Sequence, residues 1–262
     1  MSTIATGTVG SNPLFSLEGK RALVTGGTSG IGLAIVEAMV SVGAQVVTCS
    51  DRPEDVTQFH CNGAQALDHK LSDRAAAYAL VEKAEHTLGG AIDILVSNAG
   101  IEGPVGLTGT SDEDAYMRVF DVNLHSAYWL AAACKDGMRE QGGGAIILMA
   151  SLSAMRGNRM IGTYAMTKAA LAQMARNLAV ELGPQNIRAN AIAPGLIATP
   201  FSKALMSDAA FLERRLQATP LRRVGRPEEV AAAAVFLASS GGAFTTGQTL
   251  VIDGGTLVND GS

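Results

Sequence analysis

The chain has 262 residues, 47% of them hydrophobic, and a formal charge of −4. That length suits one large α/β domain with a substantial core, and nothing in the mildly acidic balance points to nucleic acid or an anionic membrane surface as a partner. Cys49, Cys61 and Cys134 lack metal or redox spacing, and His60, His69, His86 and His125 form no ligand pattern, so reduced thiols, no metal site and a cytoplasmic location are expected.

The first nineteen residues carry no Lys or Arg and no sustained apolar run. They fit neither a signal nor a transit peptide and are read as a flexible tail over 1–17, ahead of a single domain over 18–262. No apolar segment approaches the ~18 residues that span a bilayer. Regular order begins at Arg21-Ala-Leu-Val-Thr25, an apolar run that stops at Gly26-Gly-Thr-Ser-Gly30-Ile-Gly32 and gives way to helical periodicity in Leu33, Ile35, Val36 and Met39. Strand, glycine turn and helix in that order form a phosphate cradle: glycines admit a pyrophosphate close to the backbone, and the helix start offers unpaired N–H groups.

The helix ends near Gly43, and Gln45-Val-Val-Thr-Cys-Ser50 reads as a second strand leading to Asp51 and Arg52. An acid there accepts from the ribose hydroxyls of an adenosine and repels a 2′-phosphate, whereas a guanidinium attracts one. Asp51 therefore favours NAD(H) over NADP(H), with Arg52 opposing; the bland alternative makes both solvated turn residues before Pro53. A short third strand is expected over Ala64 to Leu71, then a helix N-capped by Ser72 and running to about Leu88. Ile92 to Ser97 is the fourth strand and ends in Asn98-Ala-Gly100, small enough to leave room for a ribose and nicotinamide. Ser111-Asp-Glu-Asp114 opens a long helix that carries Asn123 in an apolar stretch, where an amide is ordinarily a satisfied core group.

Ala145-Ile-Ile-Leu-Met-Ala150 is a buried strand, and Ser151 stands at its end. Tyr164 and Lys168 fall four apart in a helix-favouring segment, so they share a face. A phenol titrates near ~10, and a fixed ammonium beside it favours the phenolate, which would make Tyr164 an acid or base with Ser151 holding a substrate oxygen. That helix continues to about Leu182 and stops at Gly183-Pro184. Ile187 to Ala193 is the next strand, broken by Pro194-Gly195. Residues 196–220 show neither a clean strand nor a long helix and are read as a lid, with Arg156, Arg159, Met155 and Met160 also shaping the pocket. Pro227 starts a helix running to Ala238, and Leu250-Val-Ile-Asp-Gly-Gly255 supplies the last strand.

Alternation of strands and helices argues for a parallel sheet covered on both faces. In the family's own order, Thr25-Gly-Gly-Thr-Ser-Gly-Ile-Gly32, Asn98-Ala-Gly100, Asn123, Ser151, Tyr164-x-x-x-Lys168, Pro194-Gly195 and Ile252-Asp-Gly-Gly255 resemble the markers of the short-chain dehydrogenase/reductase family over roughly residues 18–255. The resemblance implies a Rossmann-like three-layer αβα sandwich with a doubly wound parallel sheet. It also implies a catalytic tetrad of Asn123, Ser151, Tyr164 and Lys168 that interconverts a secondary alcohol and a ketone. In that tetrad Tyr164 exchanges the proton, Ser151 orients the substrate oxygen, Lys168 lowers the tyrosine pKa and binds the nicotinamide ribose, and Asn123 holds a relay water.

The same likeness places Gly26, Ser29, Gly30, Ile31 and Gly32 at the pyrophosphate, and Asn98, Ala99 and Gly100 at the ribose. It places Pro194, Gly195, Ile197 and Thr199 near the carboxamide. Two positions depart from the family's pattern: Ser50 stands where the acid usually lies, with Asp51 following, and Lys70 precedes Leu71, leaving only the Leu71 backbone as an adenine contact. A homotetramer is implied, with a dimer as the alternative, its contacts made by the helices that carry Asn123 and Tyr164. The alternative activities are reduction of a 3-oxoacyl thioester on a carrier protein, from Gly157-Asn158 with the lid's Arg214, Arg215, Arg222 and Arg223 as a weak basic patch to meet the carrier, and a non-catalytic nucleotide-binding sensor or scaffold.

Overall fold

Each apolar run finds a neighbour running the same way. The computed structural model describes residues 12–259. In it β1 (Arg21–Thr25), β2 (Gln45–Ser50), β3 (Ala64–Asp68), β4 (Ile94–Ser97), β5 (Gly144–Met149), β6 (Ile187–Pro194) and β7 (Thr249–Ile252) form one parallel sheet. Their order is β3-β2-β1-β4-β5-β6-β7. β1, β4, β5 and β6 are buried along nearly their whole length, which is why they read as unbroken apolar runs and not as alternating ones.

The two faces of the pleat are covered by different helices. Ala22 and Val24 of β1 point to the side packed by α1 (Gly30–Ser41) and α9 (Pro227–Ala238), where Ile35, Met39 and Val230 are fully buried. Leu23 points to the opposite side, packed by α3 (Arg74–Leu88), α5 (Ser126–Glu140) and α6 (Gly162–Leu182) through Leu80, Leu130 and Leu171. Adjacent residues of one strand thus serve two cores, giving a three-layer, Rossmann-like sandwich in a single domain. The shorter helices are α2 (Pro53–Gln58), α4 (Glu113–Phe120), α7 (Lys203–Ser207) and α8 (Ala209–Gln217).

Several boundaries differ from expectation. The third strand stops at Asp68, and α3 is N-capped by Asp73, whose carboxylate accepts from Ala76 N at 2.9 Å, not by Ser72. α4 is likewise capped by Asp112, not Ser111. α2 falls in a stretch for which no element was expected. The long helix through Asn123 is interrupted by a π turn, Asp121–His125, between α4 and α5. Segment 196–220 is not irregular: Asp208 caps the nine-residue α8 by accepting from Phe211 N at 2.9 Å. The expected tail is only partly tail-like. Residues 1–11 lie outside the described residues, but Pro13–Phe15 forms a 3-10 turn, Leu17 is buried, and Ser240 Oγ donates to Leu14 O at 3.2 Å.

The sheet's topology decides where a ligand fits. From β1 the chain winds outward to β2 and β3, then crosses to β4 on β1's other side and winds away to β7. Loops after β1 and β4 therefore part in opposite directions and leave a crevice beyond the strands' carboxyl ends.

Candidate active site

β1 delivers the glycine turn into that crevice. Gly26 and Gly30 take φ of 65° and 56°, left-handed values that favour glycine. At Gly32 a Cβ would lie 2.2 Å from the Gly26 carbonyl oxygen, so the turn closes only with hydrogen there. Thr48 of β2 pins the turn: its Oγ1 accepts from Gly27 N at 2.8 Å and donates to Val24 O at 2.6 Å. α1 begins at Gly30 with no side-chain cap from Ser29, so its first N–H groups stay available to an anion. These features fit the pyrophosphate of a dinucleotide.

β4 is tied to the same turn. The Asn98 amide donates to Thr25 O at 2.9 Å and Gly26 O at 3.1 Å, while Thr25 Oγ1 accepts from the backbone N–H groups of Asn98 and Ala99. Asn98 is thus a strut between strand ends as well as part of the cleft wall. Gly195 allows a second close approach, since a Cβ there would meet Asp253 Cα at 2.7 Å. Thr199 caps the 3-10 turn Pro200–Ser202 through a reciprocal pair of contacts with Ser202.

β5 and α6 bring Ser151, Tyr164 and Lys168 together. Ser151 Oγ accepts from Ser153 N at 3.1 Å, which leaves its own O–H free to donate. Lys168 is buried, and its Nζ donates to Met149 O at 2.8 Å and lies 5.5 Å from the Tyr164 ring centroid. Burial drives the Lys168 pKa down to about 8. The expected depression of the Tyr164 phenol by Lys168 is not observed: burial pushes it up to about 12, the Ser151 hydroxyl works downward, and Glu102 adds to the rise. The ammonium sits over the ring face against a carbonyl, and desolvation of the phenolate dominates.

Asn123 lies one layer behind these three. Its Nδ2 donates to Ile101 O at 2.9 Å and Thr167 Oγ1 at 3.2 Å, and its Oδ1 accepts from Ile101 N at 2.8 Å. It is buried and does not line the cleft. A Cβ on Gly100 would stand 3.2 Å from Asn123 Oδ1 and 3.3 Å from Lys168 Nζ, so the small residue keeps a gap between the two polar groups.

One cleft of about 920 Å³ unites the rest. Its walls include Gly26, Ser29, Gly30, Ile31 and Gly32 at one side, and Asp51, Arg52 and Leu71 beyond the ends of β2 and β3. Asn98, Ala99 and Gly100, then Ser151, Tyr164 and Lys168, and finally Pro194, Gly195, Ile197 and Thr199 complete the expected set. Asp51 is exposed and makes no hydrogen bond or ion pair among the described residues, whereas Arg52 Nη2 is 2.7 Å from Asp55 Oδ2. Of the residues expected to shape the pocket, Arg156 lines the cleft, but Met155, Arg159 and Met160 do not. Glu102, Phe201 and Phe211 line it without having been singled out as site residues, and so does Arg215, expected only as one of the lid's basic residues. Phe201, whose ring centroid is 6.3 Å from that of Tyr164, and α8 arrive by folding of the segment after β6, which no motif spacing marks. Among the described residues no group of three or more His, Cys, Asp or Glu could hold a metal ion.

Comparisons with known proteins agree over nearly the whole chain. A family model described as enoyl-(acyl carrier protein) reductase matches residues 26–256. Dehydrogenase/reductase SDR family member 4 of Oryctolagus cuniculus is 37% identical over 253 residues, covering 91% of this chain and 94% of that protein. A gluconate 5-dehydrogenase from Burkholderia cenocepacia, solved with NADP and tartrate, superposes with a TM-score of 0.88 at 33% identity, covering 94% and 98% of the two chains. A 7α-hydroxysteroid dehydrogenase, solved with NADH and 7-oxo glycochenodeoxycholic acid, gives 0.88 at 33%, covering 93% and 96%.

Proposed function

The chain belongs to the short-chain dehydrogenase/reductase family and is an NAD(P)-dependent oxidoreductase, and on that footing we propose that it interconverts a secondary alcohol and a ketone with Tyr164 as the general acid and base. One observation carries the reading: Ser151, Tyr164 and Lys168 line the same cleft as a glycine turn that fits a pyrophosphate. The bound nicotinamide supplies or accepts the hydride.

The chain's own residues handle the oxygen and the proton. Ser151, with Oγ already accepting from Ser153 N, donates to the substrate oxygen and fixes it beside the phenol. Tyr164, held protonated by burial, gives its proton to that oxygen during ketone reduction and removes it during alcohol oxidation. Lys168 spends one N–H on Met149 O and keeps two for the nicotinamide ribose and the relay. Asn123 fixes the Ile101 loop, and its Oδ1 faces the gap at Gly100 where a relay water would stand.

The cofactor preferred in this reading is NAD(H). Asp51 offers a free carboxylate at the end of β2, and Arg52 is already neutralised by Asp55. The structural relatives include both an NADP and an NADH complex, so the local charge is the discriminating feature. Reduction of a carrier-bound thioester draws on the family model's description, which names an acyl carrier protein, and on the lid's Arg214, Arg215, Arg222 and Arg223, of which, among the described residues, only Arg223 is neutralised by an acid. Arg223 is bonded to Glu229 at 2.8 Å, and Arg222 is bonded to the Gln217 carbonyl. A homotetramer is part of the proposal, because Tyr128, Met166 and Val180 stand exposed on the helices that flank Asn123 and carry Tyr164. Cytoplasmic location is kept as an expectation; among the described residues no helix is long and apolar enough to cross a membrane.

The test is Tyr164→Phe assayed against a panel of ketones. Turnover is expected to fall by at least ~10³-fold while cofactor binding, followed by fluorescence, survives. Retained turnover would refute the assignment.

A further inference from the structure

Of the arginines that line the cleft, Arg118, Arg156 and Arg215 have no ion-pair or hydrogen-bond partner for the guanidinium among the described residues; Arg118 is exposed to solvent, whereas the other two are half-buried. Arg156 sits in the loop between β5 and α6, and Arg215 on α8; both are half-buried, and both line the cleft with Ser151 and Tyr164. Among the described residues neither guanidinium has an ion pair or a hydrogen bond. At the cleft's far end, by contrast, Arg52 is held by Asp55.

Their setting makes the lack of partners costly. Burial, and secondly the charge of Arg156, lower the Arg215 pKa, so the two cations are near enough to repel each other. Arg215 stacks over Phe211, its Cζ 5.6 Å from the ring centroid, which orients the guanidinium plane. Glu102 also lines the cleft, near Tyr164, but lies in ion-pair contact with neither arginine. Two half-desolvated like charges, left uncompensated in a concave site, are what a bound anion satisfies. A guanidinium's fork matches a planar carboxylate in two parallel hydrogen bonds.

We propose that Arg156 and Arg215 form a carboxylate seat at the substrate end of the cleft, so that the preferred substrate is an oxo acid or hydroxy acid. The inference rests on the reading of the cleft given above, since it takes Tyr164 as marking the reacting carbon. It makes α8 the element that selects the substrate: Arg215 reaches the carboxylate only while α8 covers the cleft.

The experiment pairs linear oxo acids, in which ketone and carboxylate are separated by one methylene more at each step, with their primary amides. kcat/KM is measured for the native enzyme, Arg156→Gln, Arg215→Gln and, as a control on the exposed neighbour, Arg214→Gln. Binding of the acids to Tyr164→Phe with reduced cofactor is measured by calorimetry, also in combination with each arginine variant. The expected result is an acid-to-amide ratio of at least roughly tenfold at the best spacing. It should fall towards one in Arg156→Gln and Arg215→Gln, mainly through KM, stay unchanged in Arg214→Gln, and diminish with added salt. Acid binding lost in either arginine variant would uphold the seat even if no ketone were turned over, an outcome that would sink the Tyr164 reading alone. Amides turned over as well as acids, or an acid preference unmoved by both substitutions, would overturn the seat and leave the Tyr164 reading standing.

Discussion

Gly32 defines the tightest point of the cleft. A methyl group there would sit 2.2 Å from the Gly26 carbonyl oxygen, a backbone atom that cannot swing aside. Gly32→Ala is therefore expected to open the turn and weaken cofactor affinity by at least ~10-fold, measured by fluorescence titration, with a lowered Tm. Lys168 carries the opposite kind of strain. Its pKa falls from 10.5 to about 8 on folding, so holding the ammonium inside costs about 3 kcal/mol below pH 8. Between pH 8 and 10.5 the unfolded chain binds the proton that the folded chain has released, so this group's contribution makes stability rise with pH in that window. Lys168→Met should be the more stable protein at pH 7, and the difference should shrink towards pH 10.5; a pH-independent difference in urea midpoints would contradict it. In the proposed mechanism Tyr164 behaves inversely. With its pKa pushed up to about 12, the phenol is protonated at neutral pH. Ketone reduction is then favoured near pH 7, and kcat/KM for alcohol oxidation should climb steadily as pH rises towards 10.

At the scale of elements, the π turn Asp121–His125 separates α4 from α5 and sets Asn123 against the Ile101 loop. Removing that amide in Asn123→Ala takes the partner from the Ile101 N–H and C=O, half-buried in the cleft wall, and a stability loss of about 1 kcal/mol by urea unfolding is expected. How much of this level the sequence discloses depends on where the signal lies. The end of α6 and the span of α9 were legible because Gly183-Pro184 and Pro227 punctuate them. The glycine turn was legible because strand, glycines and helix occur in one contiguous stretch. The π turn was not, since Phe120 to Leu130 has an ordinary helical pattern and the extra residue is set by the tertiary pairing of Asn123 with Ile101 and Thr167. α8 was missed because its face toward the cleft is mixed, carrying Phe211 and Arg215 together. The pKa of Tyr164 was misjudged because spacing in a helix reports that a lysine is near, whereas burial and the lysine's own carbonyl partner are properties of the fold.

The whole molecule explains why residues so far apart in sequence meet. Strand order β3-β2-β1-β4-β5-β6-β7 places the ends of β1, β4, β5 and β6 side by side, and each contributes one wall: glycine turn, Asn98-Ala-Gly100, Ser151, and Pro194-Gly195. The end of β2 lies further along the same edge and is followed by Asp51, so the proposed mechanism puts cofactor choice towards one end of the sheet's rim and chemistry near its middle. Asp51→Ala should accordingly lower KM for NADP(H) relative to NAD(H) by roughly tenfold without altering kcat for the preferred ketone. Exposed apolar residues on α5 and α6 predict a mass of several protomers by sedimentation equilibrium, and charged substitutions at Tyr128 and Met166 should reduce it. The most direct measurement of all is isotopic: the enzyme is given a ketone and reduced nicotinamide dinucleotide deuterated at its transferring carbon, and the product alcohol is examined by mass spectrometry and NMR. Deuterium on the carbinol carbon, with turnover lost in Tyr164→Phe, is the predicted result; turnover that leaves that carbon unlabelled, or undiminished labelling in the variant, would contradict it.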